Sequence, residues 1–167
     1  HPNIKAISFT GGTKTGAHIA KAAAPMFKKL SLELGGKNPN IIFADCDYED
    51  MLTTTVRSSF ANQGQICLCG SRIFIERSIY EQFKKDFVEA VSRLKVGDPL
   101  NSTTNIGALV SQQHLEKVKS YIDNAKEYGG RVLFGGEEVT VEGFENGYYL
   151  QPTIIEVDDN TRSYHTN

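Results

Sequence analysis

The strongest constraint on this chain is an alternation repeated along it: a short apolar run, a break at glycine or proline, then apolar residues at helical spacing. Ile4, Ala6, Ile7 and Phe9 form the first run, which stops at Gly11 and Gly12 and gives way to an Ala-rich, helix-favouring stretch at residues 18–24. A second run at 30–34 stops at Gly35 and Gly36, and a third at 41–44 follows Pro39; both read as short buried strands. Asp47, with Asp50 three residues on, suits an N-cap for a helix whose stripe is Met51, Leu52, Thr55, Val56 and Phe60, and whose C-terminal end points at Gly64. Residues 71–75 return as a strand, and Ser78 with Glu81 has capping-box spacing before a helix with Ile79, Phe83, Phe87, Val91 and Leu94 inward. Ser111 caps a last helix with Leu115, Val118, Ile122 and Ala125 facing in, ahead of Gly129, Gly130 and a strand at 132–134. Residues 135–149 read as a surface loop or hairpin and 150–157 as a late strand. Strands alternating with helices predict an α/β fold, with a mainly parallel sheet flanked by helices.

With 167 residues, 40% of them hydrophobic and 23% charged, the chain can enclose a sizeable core. A net charge of -2 leaves no basic excess for a phosphate backbone, so nucleic acid is not an expected partner and a small molecule is. No apolar run reaches the length of a bilayer span, and residues 1–5 lack the pattern of a secretory signal, so a cytoplasmic protein with no membrane partner is expected. Cys46, Cys67 and Cys69 are odd in number and offer no disulfide framework. A single Cys-x-Cys is weak support for zinc, so no metal is expected and the thiols are read as reduced. The chain begins without Met and stops after a polar stretch, which suggests a fragment of something longer.

Three segments hold residues suited to chemistry. Gly11, Gly12, Thr13, Lys14, Thr15 and Gly16 lie between a predicted strand and a predicted helix, where free N–H groups and the helix dipole favour a phosphate. They match neither a P-loop nor G-x-G-x-x-G, and an ordinary glycine turn accounts for them equally well. Glu33, in Leu32-Glu33-Leu34-Gly35-Gly36-Lys37-Asn38-Pro39, is a lone carboxylate in an apolar strand. If buried, desolvation would carry it towards neutrality, as a general base requires; if it alternates outward, it is an ordinary edge glutamate. Cys67, in Asn62-Gln63-Gly64-Gln65-Ile66-Cys67-Leu68-Cys69-Gly70, falls between a helix and a strand, where a scaffold presents nucleophiles. Asn62, Gln63 and Gln65 supply amides there, and Ile66 and Leu68 would make apolar walls. Alone, the segment reads first as a pair of small buried hydrophobes.

Together the glycine turn, the Glu33-Leu34-Gly35-Gly36-Lys37 segment and the Gly64-Gln65-Ile66-Cys67 segment, 34 residues beyond Glu33, resemble the aldehyde dehydrogenase superfamily in order and character. The resemblance extends over essentially the whole chain, as far as Leu150-Gln151-Pro152-Thr153. Residues 66–69 and 71–75 look most like its 2-aminomuconic semialdehyde branch. It implies oxidation of an aldehyde to a carboxylic acid with NAD, or NADP. Cys67 would form a thiohemiacetal that yields hydride to nicotinamide, its backbone N–H would help hold the oxyanion, and Glu33 would activate the water that hydrolyses the thioester. Gly11 to Gly16 would approach the diphosphate, with Leu34 and Gly35 near the nicotinamide. Gly12 departs from the Ser of many members, which removes a side-chain contact to phosphate.

The resemblance also implies that residues 1–35 complete a dinucleotide-binding domain and 36–167 form part of a catalytic domain. The oxyanion-hole Asn, the adenosine contacts, the segment holding the nicotinamide ribose and the oligomerisation strand have no counterpart here, so the 167 residues alone are expected to have little activity and the longer parent to be a homo-oligomer. Two other readings stay open. One is a cysteine hydrolase or acyltransferase pairing Cys67 with His1, His18, His114 or His165; the other is a non-catalytic truncated product.

Overall fold

The computed structural model describes residues 1–158. Its first unit is strand β1 (Ala6–Thr10), helix α1 (Thr13–Ala23) and strand β2 (Lys29–Glu33). β1 and β2 pair in parallel, from Ala6 opposite Lys29 to Thr10 opposite Glu33, with α1 as the crossover that a parallel pair demands. The arrangement repeats in β3 (Pro39–Ile42), α2 (Tyr48–Phe60) and β4 (Arg72–Ile75), again a parallel pair. Helices α3 (Tyr80–Ser92) and α4 (Gln112–Glu127) follow, and β5 (Arg131–Phe134) closes antiparallel to β6 (Ile154–Glu156). The architecture is α/β, with two parallel pairs and one antiparallel pair among the described residues. Among the described residues, no helix is long and apolar enough to cross a membrane.

Local chemistry explains most boundaries. Asp47 caps α2 by accepting the Asp50 N–H at 3.2 Å, while Glu49 and Asp50 at its start and Arg57 at its end complement the helix dipole. Ser111 caps α4 in the same way through the His114 N–H at 3.2 Å. The expected capping box at Ser78 does not form. A 3-10 turn at Arg77–Ile79 intervenes, and the Ser78 hydroxyl instead donates to Glu76 at 2.7 Å. Glu76 also accepts the Ala44 N–H at 2.8 Å, and these two hydrogen bonds, the backbone one first, lower its pKa. The late strand shrinks to three residues, with Pro152 just before it lacking the N–H a ladder needs. Gly135 is obligatory at φ +77°, because a Cβ there would stand 2.0 Å from the Pro152 carbonyl oxygen.

The core has two centres, both drawn from residue 42 onward. Ile42, Phe83, Phe87 and Val91 form one, with Met51, Leu52, Val56, Phe60, Phe134 and Ile154 packed around it. Phe83 and Phe87 stack at 5.1 Å between centroids. Leu115, Ile122 and Leu150 form the other, with Val118, Val132 and Ile155 around them. The helical stripes foreseen for α2, α3 and α4 are therefore the core-facing ones. The expectation that the second and third apolar runs are buried fails: β2 is mainly exposed, and in β3 only Ile42 is buried. Each belongs to a sheet of only two strands, too narrow to enclose both faces.

Candidate active site

The glycine turn after β1 is shorter than its sequence suggested. Thr13, Lys14, Thr15 and Gly16 already belong to α1, which starts five residues before the Ala-rich stretch, and Gly12 is its N-cap in extended geometry without a side-chain cap. The Gly16 N–H makes the first helical bond, to the Gly12 carbonyl at 3.0 Å, so the N–H groups of Thr13, Lys14 and Thr15 have no helical acceptor. Two contacts join this segment to the Glu33 segment. The Gly11 N–H donates to the Glu33 carbonyl at 3.0 Å, and Gly16 is buried so closely under Leu34 that a Cβ there would lie 2.6 Å from the leucine Cδ2. Glycine at position 16 permits that approach. Gly35 is exposed and has nothing within 4 Å of a Cβ.

Glu33 ends β2, and its side chain is not desolvated. The residue is exposed, so β2 presents the outward-facing alternative and not the buried carboxylate. Among the described residues, β2 pairs on one edge only, with β1, and neither core cluster includes it.

The cysteine loop is more constrained. After α2 a 3-10 turn at Ala61–Gly64 carries three successive left-handed residues, Asn62 (φ 51°), Gln63 (φ 55°) and Gly64 (φ 70°). Left-handed backbone is cheap for glycine and tolerated by asparagine, but a glutamine needs compensation. The Gln63 amide, oriented by its neighbours, accepts the Gly107 N–H at 3.0 Å and donates to Asn62 Oδ1 at 3.1 Å. Ile66 to Cys69 then form a β-turn closed by the Cys69 N–H on the Ile66 carbonyl at 2.9 Å, with Cys67 and Leu68 in its central positions. Gly70 is held from both sides: its N–H donates to Ser58 Oγ at 3.2 Å, and its carbonyl accepts from Ser59 Oγ at 3.2 Å.

This turn separates the two cysteines. Cys67 is exposed at its apex, whereas Cys69 is buried with Sγ 4.0 Å from the Ala61 carbonyl oxygen. Ile66 and Leu68 are exposed on either side of Cys67, so they flank the thiol without enclosing it. Among the described residues, nothing accepts the Cys67 N–H, and no histidine is hydrogen-bonded to Cys67. His165 lies outside the described residues.

Two residues that sequence reasoning overlooked tie the Glu33 segment to the cysteine loop. The Asn38 side-chain amide donates to the carbonyls of both Cys67 and Cys69, the latter at 3.1 Å. Arg72 at the start of β4 donates through Nε to the Lys37 carbonyl at 3.1 Å and, through its backbone N–H, to the Asn38 carbonyl at 3.3 Å. The available signal was an amide residue just before Pro39 in a segment already singled out. On one flank of the loop lies an open cleft of about 800 Å³ that Gln63, Gln65, Arg72, Tyr121 and Glu156 help to line. Cys67 is not among its lining residues, so the thiol and this cleft are separate features. Within the cleft Glu156, almost fully buried on β6, accepts from the Tyr80 hydroxyl and from Lys84 at 3.3 Å, and pairs with Arg131. Burial first, then the hydrogen bond to Glu156, pushes the Tyr80 pKa up to about 12, and the same hydrogen bond is the main cause of the lowered Glu156 pKa.

Comparison with known proteins places this geometry. The sequence matches the aldehyde dehydrogenase family over residues 1–167. Among curated relatives, 2-aminomuconic semialdehyde dehydrogenase of Mus musculus is 52% identical over 97% of this chain and 34% of its own length, and that of Danio rerio is 54% identical over 93% and 32%. A putative aldehyde dehydrogenase from Burkholderia cenocepacia superposes with a TM-score of 0.92 at 41% identity, covering 98% of this chain and 34% of that one. Betaine aldehyde dehydrogenase from Staphylococcus aureus, in complex with NAD+, superposes with a TM-score of 0.87 at 37% identity, covering 93% of this chain and 31% of that one. The chain belongs to the aldehyde dehydrogenase family. It is similar to the 2-aminomuconic semialdehyde branch, and it spans about a third of the length of the curated relatives it matches.

Proposed function

We propose that this chain carries the nucleophile, the base and part of the cofactor cradle of an NAD-dependent enzyme that oxidises an aldehyde to a carboxylic acid. The observation that supports it most is the apex of the turn at Cys67, where an exposed thiol and an unpaired backbone N–H belong to the same residue. An aldehyde carbon attacked by that sulfur gives a thiohemiacetal whose oxyanion has the N–H beside it. The thioester left after oxidation is hydrolysed by water that Glu33 deprotonates; the carboxylate's exposure gives water access to it.

The start of α1 fits a dinucleotide. Three N–H groups without helical acceptors, at Thr13, Lys14 and Thr15, suit a diphosphate, with the Lys14 charge beside them. Around Gly12 a Cβ would meet nothing within 4 Å, so the approach is open. Gly11 to Gly16 would hold the diphosphate, and Leu34 with Gly35 would face the nicotinamide. NAD supplies the hydride acceptor when bound, and NADP remains an alternative because no residue here is assigned to the adenosine ribose. The substrate is read as a small aldehyde, with a 2-aminomuconic semialdehyde as the first to try, given the identities above.

Both core clusters begin after residue 41, which supports a division into a cofactor-binding part at 1–35 and a catalytic part from 36. The reaction belongs to a longer, homo-oligomeric parent, and three free cysteines suit a reducing cytoplasm. The test is aldehyde-dependent NADH formation by the parent enzyme and by its Cys67→Ser and Glu33→Gln variants. Loss of turnover in the first, with slowed thioester hydrolysis in the second, is expected; wild-type turnover by Cys67→Ser would overturn the reading.

A further inference from the structure

We infer that Asn38 is a positioning residue for Cys67, fixing the peptide unit that follows it and with it the direction of the thiol. The inference rests on Cys67 being the nucleophile. A peptide unit is planar and trans, so fixing a carbonyl fixes the N–H that points the opposite way. Cys67 stands between two such units. The unit before it is set by the turn, in which the Ile66 carbonyl accepts from Cys69 at 2.9 Å, and this turns the Cys67 N–H outward. The unit after it has no partner within the turn. Its carbonyl, that of Cys67, is taken by the Asn38 amide, which places its other hydrogen on the Cys69 carbonyl at 3.1 Å. One NH2 group thus spans both ends of the Cys67–Cys69 segment and removes the rotation the turn would otherwise permit at its exposed apex.

Asn38 is itself held. Its backbone carbonyl accepts from the Arg72 N–H at 3.3 Å, and the neighbouring Lys37 carbonyl accepts from Arg72 Nε at 3.1 Å. Pro39 next to it opens β3. Glu33 is five residues upstream, so at most about 18 Å of chain separates the base from the residue that orients the nucleophile. A displacement of the Leu34-to-Lys37 segment is therefore transmitted to the cysteine turn through a side chain, and Asn38 couples the two halves of the reaction.

The experiment compares the parent enzyme with Asn38→Ala, which deletes the donor, and Asn38→Asp, which keeps size and shape but sets a carboxylate against two carbonyls. Two readouts are followed: kcat with the KM for NAD, and the pH profile of iodoacetamide alkylation at Cys67, with Cys46 as internal control. Both variants should lower kcat and the Cys67 alkylation rate by on the order of tenfold to a hundredfold, with the KM for NAD within about twofold and Cys46 unchanged. Wild-type kcat and Cys67 alkylation in both variants would overturn the inference. So would a loss that disappears once the rates are corrected for the folded fraction. Cys67→Ser run in parallel separates the two failures: if it retains turnover, Cys67 is not the nucleophile, whereas if it is dead and both Asn38 variants are normal, only the positioning role is lost.

Discussion

Replacing Glu156 by Gln should destabilise the fold in a way that depends on pH, and the structure sets both the size and the window. The carboxylate, with 7% of its side chain exposed, sits on β6 and accepts from Tyr80 and Lys84 of α3 while pairing with Arg131 of β5. Glutamine keeps an acceptor for the tyrosine hydroxyl but removes the charge. Arg131 is 70% exposed and recovers its loss in water, and Lys84 retains Glu81 at 2.8 Å. What remains is roughly the difference between charged and neutral hydrogen bonds at a buried acceptor, about 1–1.5 kcal/mol. Because the hydrogen bond from Tyr80 and the cationic partners lower the folded pKa of Glu156, its contribution is fully present above the unfolded carboxylate value, about 4.3, and is lost as pH falls through the folded value. Urea unfolding of the wild-type and Glu156→Gln chains should therefore differ by that amount at pH 7, at equal m-value, and the gap should narrow below about pH 4. A gap of unchanged size at pH 3, or none at pH 7, would refute the reasoning.

Other consequences are more local. Tyr48, desolvated and bonded to Asp86 at 2.8 Å, and Tyr80 both have pKa values raised to about 12, so the folded state holds their protons more tightly. The associated stability is present below pH 10 and drains away as pH rises towards 12; Tyr80→Phe should flatten that alkaline slope in thermal melts. Phe87→Ala empties the centre of the larger core cluster, where Phe87 stacks on Phe83, and should cost about 3–5 kcal/mol in chemical denaturation. Gly16→Val drives a side chain into Leu34 at the proposed cofactor segment; overpacking there of about 1–3 kcal/mol should weaken NAD binding by titration in the parent enzyme, and unchanged affinity would detach Leu34 from the proposed cofactor site.

What could be read from the sequence was what repeats. The stripe of Phe83, Phe87 and Val91 and the caps at Asp47 and Ser111 are local patterns, and the folded chain uses them as written. The capping box at Ser78 had the right spacing and failed because a 3-10 turn at Arg77–Ile79 moves the start of α3 on, so that Ile79 and not Ser78 stands at its N-cap. The burial of Glu33 was beyond reach, since it depends on which strands lie beside β2 and apolar neighbours in sequence do not determine that. At the candidate site, the proposal of Cys67 and Glu33 rests on a joint motif, whereas the clamp by Asn38 is a long-range fact. Asn38 acts across 29 residues, and no short window contains both partners.

The central claim is that Cys67 bears the acyl group during turnover. The direct measurement is peptide mass spectrometry on the parent enzyme carrying Glu33→Gln, quenched in acid after mixing with aldehyde and NAD, so that a slowly hydrolysed thioester is caught. The account predicts an acyl mass increment on the peptide containing Cys67, absent without NAD and absent from Cys46. An increment on another residue, or steady NADH formation with Cys67 unmodified and replaceable by serine, would contradict it.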